Sequence, residues 1–307
     1  MDKKIIYATV IYKCDDLEIF MHDYLKSMSE QTEKNFELLI LTDGVSIDYI
    51  RYAISLHSLS NIVHIKEPLK GRLPIQLRKE LIDISYEMKA DILIFSDFDD
   101  NAANNRVEEV NKKIGNYDFL FNDFFIVDNK LRKLEKNSFF KIRDIPYEIN
   151  DWHDIKSFNY IGFGSLAINL RTYNYLAIEF PNSIKALDWF ISTKVLLDGG
   201  KGFRLINTYV NYRQHNNSFV GFDFALNEKK LAQGLDVKQS HYGYFKQYND
   251  EFDILYDEIL KLRKYIDKIG KENYINIINS KFKENNFCWW ENIKIIKEFG
   301  NDIKRIE

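Results

Sequence analysis

Three carboxylates within four residues, Asp97-Phe98-Asp99-Asp100, are the most chemically pointed feature of this sequence. They follow directly on the hydrophobic strand candidate Ile92-Leu93-Ile94-Phe95-Ser96. If the chain stays extended, side chains alternate and Asp97 and Asp99 point the same way. Carboxylates held this close repel one another unless protons or a cation compensate. Hard oxygen ligands suit Mg²⁺ or Mn²⁺, which complete their shells with water and substrate phosphates. On these residues alone a second reading is equally open: an acidic turn in solvent, with Asp100 or Asn101 capping the next helix.

Whatever the run does, the elements around it must place it. Ile5–Tyr12 reads as a strand and Leu17–Met28 as a helix with Leu17, Phe20, Met21, Tyr24, Leu25 and Met28 on one face. Phe36–Leu41 is a strand ending at Thr42-Asp43-Gly44; Ile47–Leu59 is helical, Ile62–Ile65 a short strand, Ile75–Met88 a helix and Ile92–Phe95 a fourth strand. Strands alternating with helices predict an α/β fold with a mostly parallel sheet covered on both faces. Ligands of such sheets bind beyond the carboxyl ends of the strands, where Asp43 and Asp97–Asp100 both fall.

The middle is less regular. Tyr117–Phe140 reads as strands or a hairpin around Asp128-Asn129, Ser165–Asn169 as a strand, Ile184–Leu197 as a helix closed by Gly199-Gly200, and Phe203–Tyr212 as a strand. Beyond Phe222 the pattern turns to helices and charges. Phe252, Leu255, Ile259, Leu262, Ile266 and Ile269 then recur at helical spacing. The expected division is residues 1–221 as one domain and 222–307 as a helical C-terminal region.

Composition narrows the field. A net charge of -3 gives no global pull toward nucleic acid or an anionic membrane. Two cysteines, Cys14 and Cys288, make neither a disulfide framework nor a CxxC metal site, and a reducing cytoplasm is the simplest expectation. No apolar stretch approaches the roughly 20 residues of a spanning helix. Lys3-Lys4 and the apolar run to Tyr12 look like a signal-peptide start, but Asp15-Asp16 follows without a cleavage site, so the expectation is a chain that is neither secreted by this route nor membrane-spanning. Phe287, Trp289 and Trp290 beside Lys294 and Lys297 fit core packing, which is commoner, or an interfacial anchor. A homodimer or peripheral contact with the inner membrane face through this region stays open.

The order of several short motifs resembles the family 2 glycosyltransferases. Leu17-Glu18, Ser27, Gln31-Thr32, Asn35-Phe36-Glu37 and Thr42-Asp43-Gly44 are similar to that family's opening strand–helix–strand. Gly71 and Arg78 come next, then Asp97–Asp100 in the place of a DxDD motif and Asn105-Arg106 after it. Gly162–Asn169, Asp188-Trp189 and Tyr212-Arg213-Gln214-His215 recur in family order, so the likeness runs over about residues 4–220.

The resemblance implies a GT-A (Rossmann-like) fold and an inverting, single-displacement enzyme. Such an enzyme moves a sugar from a nucleotide-diphosphate donor, UDP or dTDP foremost, to a hydroxyl of a glycan or lipid-linked acceptor, as in bacterial surface polysaccharide or lipooligosaccharide synthesis. It implies a divalent Mn²⁺ or Mg²⁺ held by Asp99, Asp100 and His215. Asp43, Arg78, Asp97, Asp99 and Trp189 would bind the nucleotide-sugar, with Asp43 on the base, Arg78 (and Lys70 or Arg72) on the diphosphate and Trp189 beside the acceptor sugar. Asp188 would be the catalytic base. The sequence departs from the family at Ile11-Tyr12-Lys13-Cys14, where a Pro-Thr-Tyr-Asn-like turn is usual. It departs again at Thr42 and Leu187, each standing where a second acid often precedes Asp43 or Asp188. Two competing readings are a nucleotidyltransferase, which the Asp15-Asp16 pair opposes, and a non-catalytic carbohydrate-binding protein on a transferase fold.

Overall fold

The computed structural model describes residues 3–59, 61–68, 71–141, 143–214, 225–280 and 293. Its chain contacts divide it into two compact units, Met1–Lys156, Tyr160–Asn182 and Leu187–His215 in the first and Ser157–Asn159, Ser183–Ala186 and Asn216–Glu307 in the second. The sequence boundary at 221/222 falls outside the described residues.

The first unit is an α/β sheet protein. β1 (Ile5–Tyr12), β2 (Glu37–Asp43), β3 (Val63–Lys66) and β4 (Ile92–Phe95) form its parallel half, ordered β3-β2-β1-β4. β1 and β4 are buried along almost their whole length, which their unbroken apolar runs require of strands covered on both faces. Between them run α1 (Leu17–Ser29), α2 (Ile47–Ser55) and α3 (Pro74–Glu87). α1 buries Phe20, Met21, Tyr24, Leu25 and Met28, the face its periodicity predicts. Ser46 caps α2, its hydroxyl accepting the Tyr49 N–H at 3.4 Å. α2 stops at Ser55, short of the Leu59 expected from its apolar pattern.

Beyond β4 the sheet changes direction. β8 (Leu166–Asn169) pairs antiparallel with β4 and with β6 (Phe119–Val127) on its other side. β9 (Gly202–Arg213) then runs parallel to β6, and the two-residue strands β5 (Asn101–Ala102) and β7 (Glu148–Ile149) pair antiparallel with it. Strands as short as β5 and β7 carry no periodic signal, and neither was legible in the sequence. The chain around Asp128-Asn129 does turn back, with Val127 bridged antiparallel to Lys133 and Asp128 paired to Arg132. α4 (Arg106–Lys113) leads into β6 and α5 (Leu187–Leu197) into β9. α5 begins at Leu187 rather than Ile184, and ends on Gly199 at φ 82°, a left-handed position that favours glycine.

Gln31 ties α1 to α4. Its amide N–H groups donate to Ser27 O (3.1 Å) and Ala103 O (2.9 Å), and its oxygen accepts the Val107 N–H at 3.1 Å. One buried side chain thus satisfies groups at a helix C-terminus and a helix N-terminus that would otherwise be orphaned.

The second unit is helical in its described part: α6 (Glu228–Phe245), α7 (Asp250–Ile269) and α8 (Lys271–Ser280). Asn227 and Asn249 cap the first two helices. The periodic stripe of α7 is buried at Phe252, Ile259, Leu262 and Ile266, and Leu262 and Ile266 share a core with Leu231, Leu235, Tyr274 and Ile278. No described helix is long and apolar enough to cross a membrane. Cys288, Phe287, Trp289, Trp290, Lys294 and Lys297 lie outside the described residues.

Candidate active site

The order β3-β2-β1-β4 means that the chain leaves β1 in one direction and returns to add β4 on its other side. The carboxyl ends of β1 and β4 therefore flank a topological switch point, the crevice where open α/β sheets bind ligands. Both sequence signals converge there. Tyr12, at the end of β1, lies in register with Asp43 at the end of β2, and the Lys13 N–H donates to Asp43 O at 3.2 Å. Asp43 is exposed, and the next residue, Gly44, takes φ 77° to turn the chain.

β4 delivers the acidic run into this crevice. Ser96 N–H continues the ladder to Ala8 O at 2.9 Å, and the Asp100 N–H closes a turn on Asp97 O at 3.1 Å. Phe98 is fully buried, its ring 4.7 Å from Tyr12 and 6.1 Å from Phe20. This apolar anchor drives inward, which leaves Asp97 and Asp99 half-exposed at the crevice. Asp97 pairs with Arg78 of α3. Asp99 Oδ2 accepts the Tyr12 hydroxyl at 3.3 Å. Asp100 is buried; its Oδ1 accepts the Arg213 N–H at 2.9 Å.

Two buried arginines hold the backbone on either side of this run. Arg213 donates through Nε to Asp99 O (2.7 Å), through Nη1 to Asn129 O (2.7 Å) and through Nη2 to Asp23 Oδ2 (2.7 Å). Arg106, the first residue of α4, is 0% exposed and donates to Phe95 O (3.0 Å), the Tyr7 hydroxyl (2.7 Å) and Asn122 Oδ1 (3.2 Å). All of its hydrogen-bond partners are neutral. A buried cation needs compensation, and Asp97 of the acidic run feels Arg106 electrostatically.

The carboxylates themselves are held in a high-energy state when charged. Burial pushes the Asp100 carboxyl well above the usual carboxylate range, and the charges of Asp99 and Asp97 push it further. Burial likewise raises Asp97, against the pull of Arg78. Tyr212, the penultimate residue of β9, is raised well above 10, first by burial and then by Asp100, Asp99, Asp97 and Asp188 in that order. One phenol therefore senses both the acidic run and Asp188.

Asp188 stands in the first turn of α5 and is half-buried, with Oδ1 accepting the Trp189 N–H at 2.7 Å. Trp189 corrects an expectation. It is 1% exposed and its indole N–H is committed to Ile155 O at 2.7 Å, so the ring anchors α5 in the core rather than presenting a face to a sugar. Arg72 pairs with Glu80 at 3.8 Å. His215 and Lys70, the other expected contributors, lie outside the described residues.

Whether these residues fit a divalent cation can be tested on their unmet bonding. Asp100 Oδ2 is buried with no hydrogen-bond partner among the described residues. A Cβ built on Gly164 would lie 3.0 Å from Asp100 Oδ2 and 3.1 Å from Asp97 Oδ2, so two carboxylate oxygens crowd one glycine. Such oxygens suit a hard cation. Among the described residues no three His, Cys, Asp or Glu side chains form a group that could hold an ion. An ion held by the carboxylate oxygens at Gly164 would take the rest of its shell from water and phosphate, as Mg²⁺ and Mn²⁺ do.

The structure thus gathers Arg78, Asp97, Asp99 and Asp100 at one strand end, with Asp43 at the end of the second strand away and Asp188 within electrostatic reach of Tyr212. Tyr12, Arg106, Arg213, Tyr212 and Phe163 belong to the same surroundings; the sequence motifs contain them but gave none of them a role.

No protein-family model and no curated protein matches the sequence. Solved structures do. The mannosyltransferase PcManGT from Pyrobaculum calidifontis, in complex with GDP-Man and Mn²⁺, superposes with a TM-score of 0.53 at 10% identity over 80% of this chain. This chain spans 65% of that protein's length. S. aureus TarS 1-349 in complex with UDP gives 0.57 at 15% identity, covering 84% of this chain and 70% of that one. GalNAc-T7 with UDP, GalNAc and Mn²⁺ gives 0.54 at 14% identity, covering 87% and 54%. At these identities the likeness carries the fold: the chain has the GT-A architecture of these glycosyltransferases, a central sheet with its parallel half flanked by helices.

Proposed function

We propose that this protein is a metal-dependent glycosyltransferase that moves a sugar, with inversion, from a nucleotide-diphosphate donor to a hydroxyl of a glycan or lipid-linked acceptor. The observation that carries the reading is the cluster of Arg78, Asp97, Asp99 and Asp100 at the switch point of a GT-A sheet. It leaves one buried carboxylate oxygen and one buried guanidinium nitrogen, Asp100 Oδ2 and Arg78 Nη1, without partners among the described residues. Complexes of the structural neighbours with UDP, UDP-GlcNAc, GDP-Man and Mn²⁺ support the same ligand class.

The roles are those that the family resemblance implies. Asp43, exposed at the end of β2, would read the base; Asp97 and Asp99 would face the ribose and the cation, and Asp99, Asp100 and His215 would hold the cation. A bound Mn²⁺ or Mg²⁺ supplies Lewis-acid stabilisation of the leaving diphosphate. Arg78 adds a fixed positive charge where negative charge grows as the anomeric C–O bond breaks. Asp188 accepts the proton of the acceptor hydroxyl as its oxygen bonds to the anomeric carbon from the opposite face. Trp189 holds the α5 turn that presents Asp188. Residues 1–221 form the catalytic part in this reading, and residues 222–307 a helical region for packing, dimerisation or peripheral membrane contact. A cytoplasmic enzyme of surface-glycan synthesis accords with these parts.

Thermal-shift measurements against UDP, dTDP, GDP and CMP, each with and without Mn²⁺, test the reading. Stabilisation by one nucleotide that grows with Mn²⁺ is expected. No stabilisation by any of them would overturn the donor site.

A further inference from the structure

Arg78 projects from the second turn of α3 toward the acidic run, and one of its terminal nitrogens, Nη2, pairs with Asp97. A long side chain that ends on a single carboxylate oxygen keeps much rotational freedom, because nothing fixes the plane of the guanidinium. Here something does. The guanidinium carbon lies over the ring of Phe163, 4.5 Å from its centroid. The negative face of an aromatic ring attracts a cation at this distance and favours a stacked guanidinium.

Phe163 is itself held firmly. It opens the short 3-10 turn Phe163–Ser165, which Ser165 locks by donating its N–H (3.0 Å) and its hydroxyl (2.8 Å) to Gly162 O. Its ring packs 4.3 Å from Phe95, the last residue of β4, whose carbonyl is bonded to Arg106. The next residue, Gly164, seats the carboxylates of Asp97 and Asp100. Two adjacent residues of one turn thus position the cation and the anions of the same site.

The orientation this gives Arg78 has a consequence. With Nη2 on Asp97 and the guanidinium on Phe163, Nη1 is left buried and without a partner among the described residues. An unmet buried donor is destabilising, and a ligand oxygen that accepts it removes that cost. Phosphate oxygens are acceptors with the right charge and geometry for a pre-aimed guanidinium.

We infer that Phe163 is a positioning residue for the donor diphosphate: it holds the Arg78 guanidinium so that Nη1 meets a phosphate oxygen while Nη2 stays on Asp97. The inference rests on the nucleotide-sugar reading of the site. It adds that an aromatic side chain at position 163 sets the affinity for the diphosphate, acting only through Arg78.

Calorimetric titration of UDP and of GDP with Mn²⁺ present, on the wild type, F163L, F163Y, R78M and the R78M/F163L double variant, tests it. F163L, which keeps an apolar side chain but removes the ring face, is expected to weaken binding about fivefold to thirtyfold, the range of one cation–π contact. F163Y, which restores the face, is expected to restore affinity. In the R78M background F163L is expected to change the affinity less than about twofold. An equal loss in both backgrounds would assign Phe163 to packing alone and overturn the inference, as would full affinity in F163L. Absence of binding by the wild type to either nucleotide would instead remove the donor reading, and this inference with it.

Discussion

Arg213 and Asp99 stand 114 residues apart in the chain, yet the guanidinium of one donates to the backbone carbonyl of the other at 2.7 Å. The same side chain reaches Asp23 on α1 and Asn129 in the turn after β6, and is wholly buried while doing so. The acidic turn is therefore held by a residue at the far end of β9 as well as by its own Asp100–Asp97 turn bond.

Removing that side chain leaves a carboxylate and two carbonyls unpaired. Arg213→Met is expected to lower the unfolding free energy by about 3–5 kcal/mol, the usual cost of breaking a buried pair from one side. Chemical denaturation of the two proteins measures it. A loss below about 1 kcal/mol would show that water or a neighbour replaces all three bonds.

Asp188 should separate binding from chemistry. Asp188→Asn keeps the side-chain oxygen that accepts the Trp189 N–H, so α5 is expected to fold as before. Nucleotide affinity, read by calorimetry, should stay within about twofold. Transfer to acceptor should fall by about 10²–10⁴, the contribution of a positioned general base. Wild-type turnover in this variant would take Asp188 out of that role.

The raised carboxyl groups give a pH dependence with a defined sign. Asp97 and Asp100 are held above the usual carboxylate range in the folded chain, so the unfolded chain ionises first as pH rises. Their contribution to stability is complete below about pH 4, near the unfolded value. It is lost as pH climbs through the folded values. A divalent cation that replaces the protons offsets this loss. The rise in melting temperature caused by Mn²⁺ should therefore be larger at about pH 7.5 than at about pH 5. An equal shift at both pH values would place the ion away from these carboxylates.

Gly164→Ala tests the seat of the two carboxylates directly. The added Cβ would stand 3.0 Å from Asp100 Oδ2 and 3.1 Å from Asp97 Oδ2, which pushes both oxygens away by a few tenths of an ångström. The fold should survive, since no backbone atom lies closer than 3.7 Å to that position. Mn²⁺-dependent nucleotide affinity is expected to drop about tenfold, as small misplacements at such sites do. Undiminished affinity would mean that neither oxygen has a fixed place in the ligand site.

Legibility in the sequence followed the physics of each signal. The parallel half of the sheet was readable because unbroken apolar strands alternate with amphipathic helices, as in Ile5–Tyr12 and Leu17–Ser29. The acidic run was readable because three carboxylates next to a buried strand are costly without a reason. The arginines that hold it were not. Arg106 and Arg213 sit in motifs that the sequence showed, but only the tertiary fold shows that both are buried and what they hold. Trp189 misled for the opposite reason: an aromatic beside a candidate base suggests a sugar platform, but its whole ring is absorbed by the core beneath α5. Phe163 carried no signal at all, because its role depends on a guanidinium 85 positions earlier in the chain that the fold lays over its ring.

The parallel pairing of β6 with β9 also sets a timetable. β9 can join the sheet only after the chain between Val127 and Gly202 has been made, and Arg213 is its last residue. At about 5–20 residues per second, a ribosome emits Arg213 about 6–23 seconds after Asp99, given the 114 residues between them. Throughout that interval the acidic turn exists without the cation that pins it. The nascent chain thus carries its acidic turn in an unset state until synthesis of the sheet is nearly finished, and the turn takes its final geometry with the last strand rather than with the first.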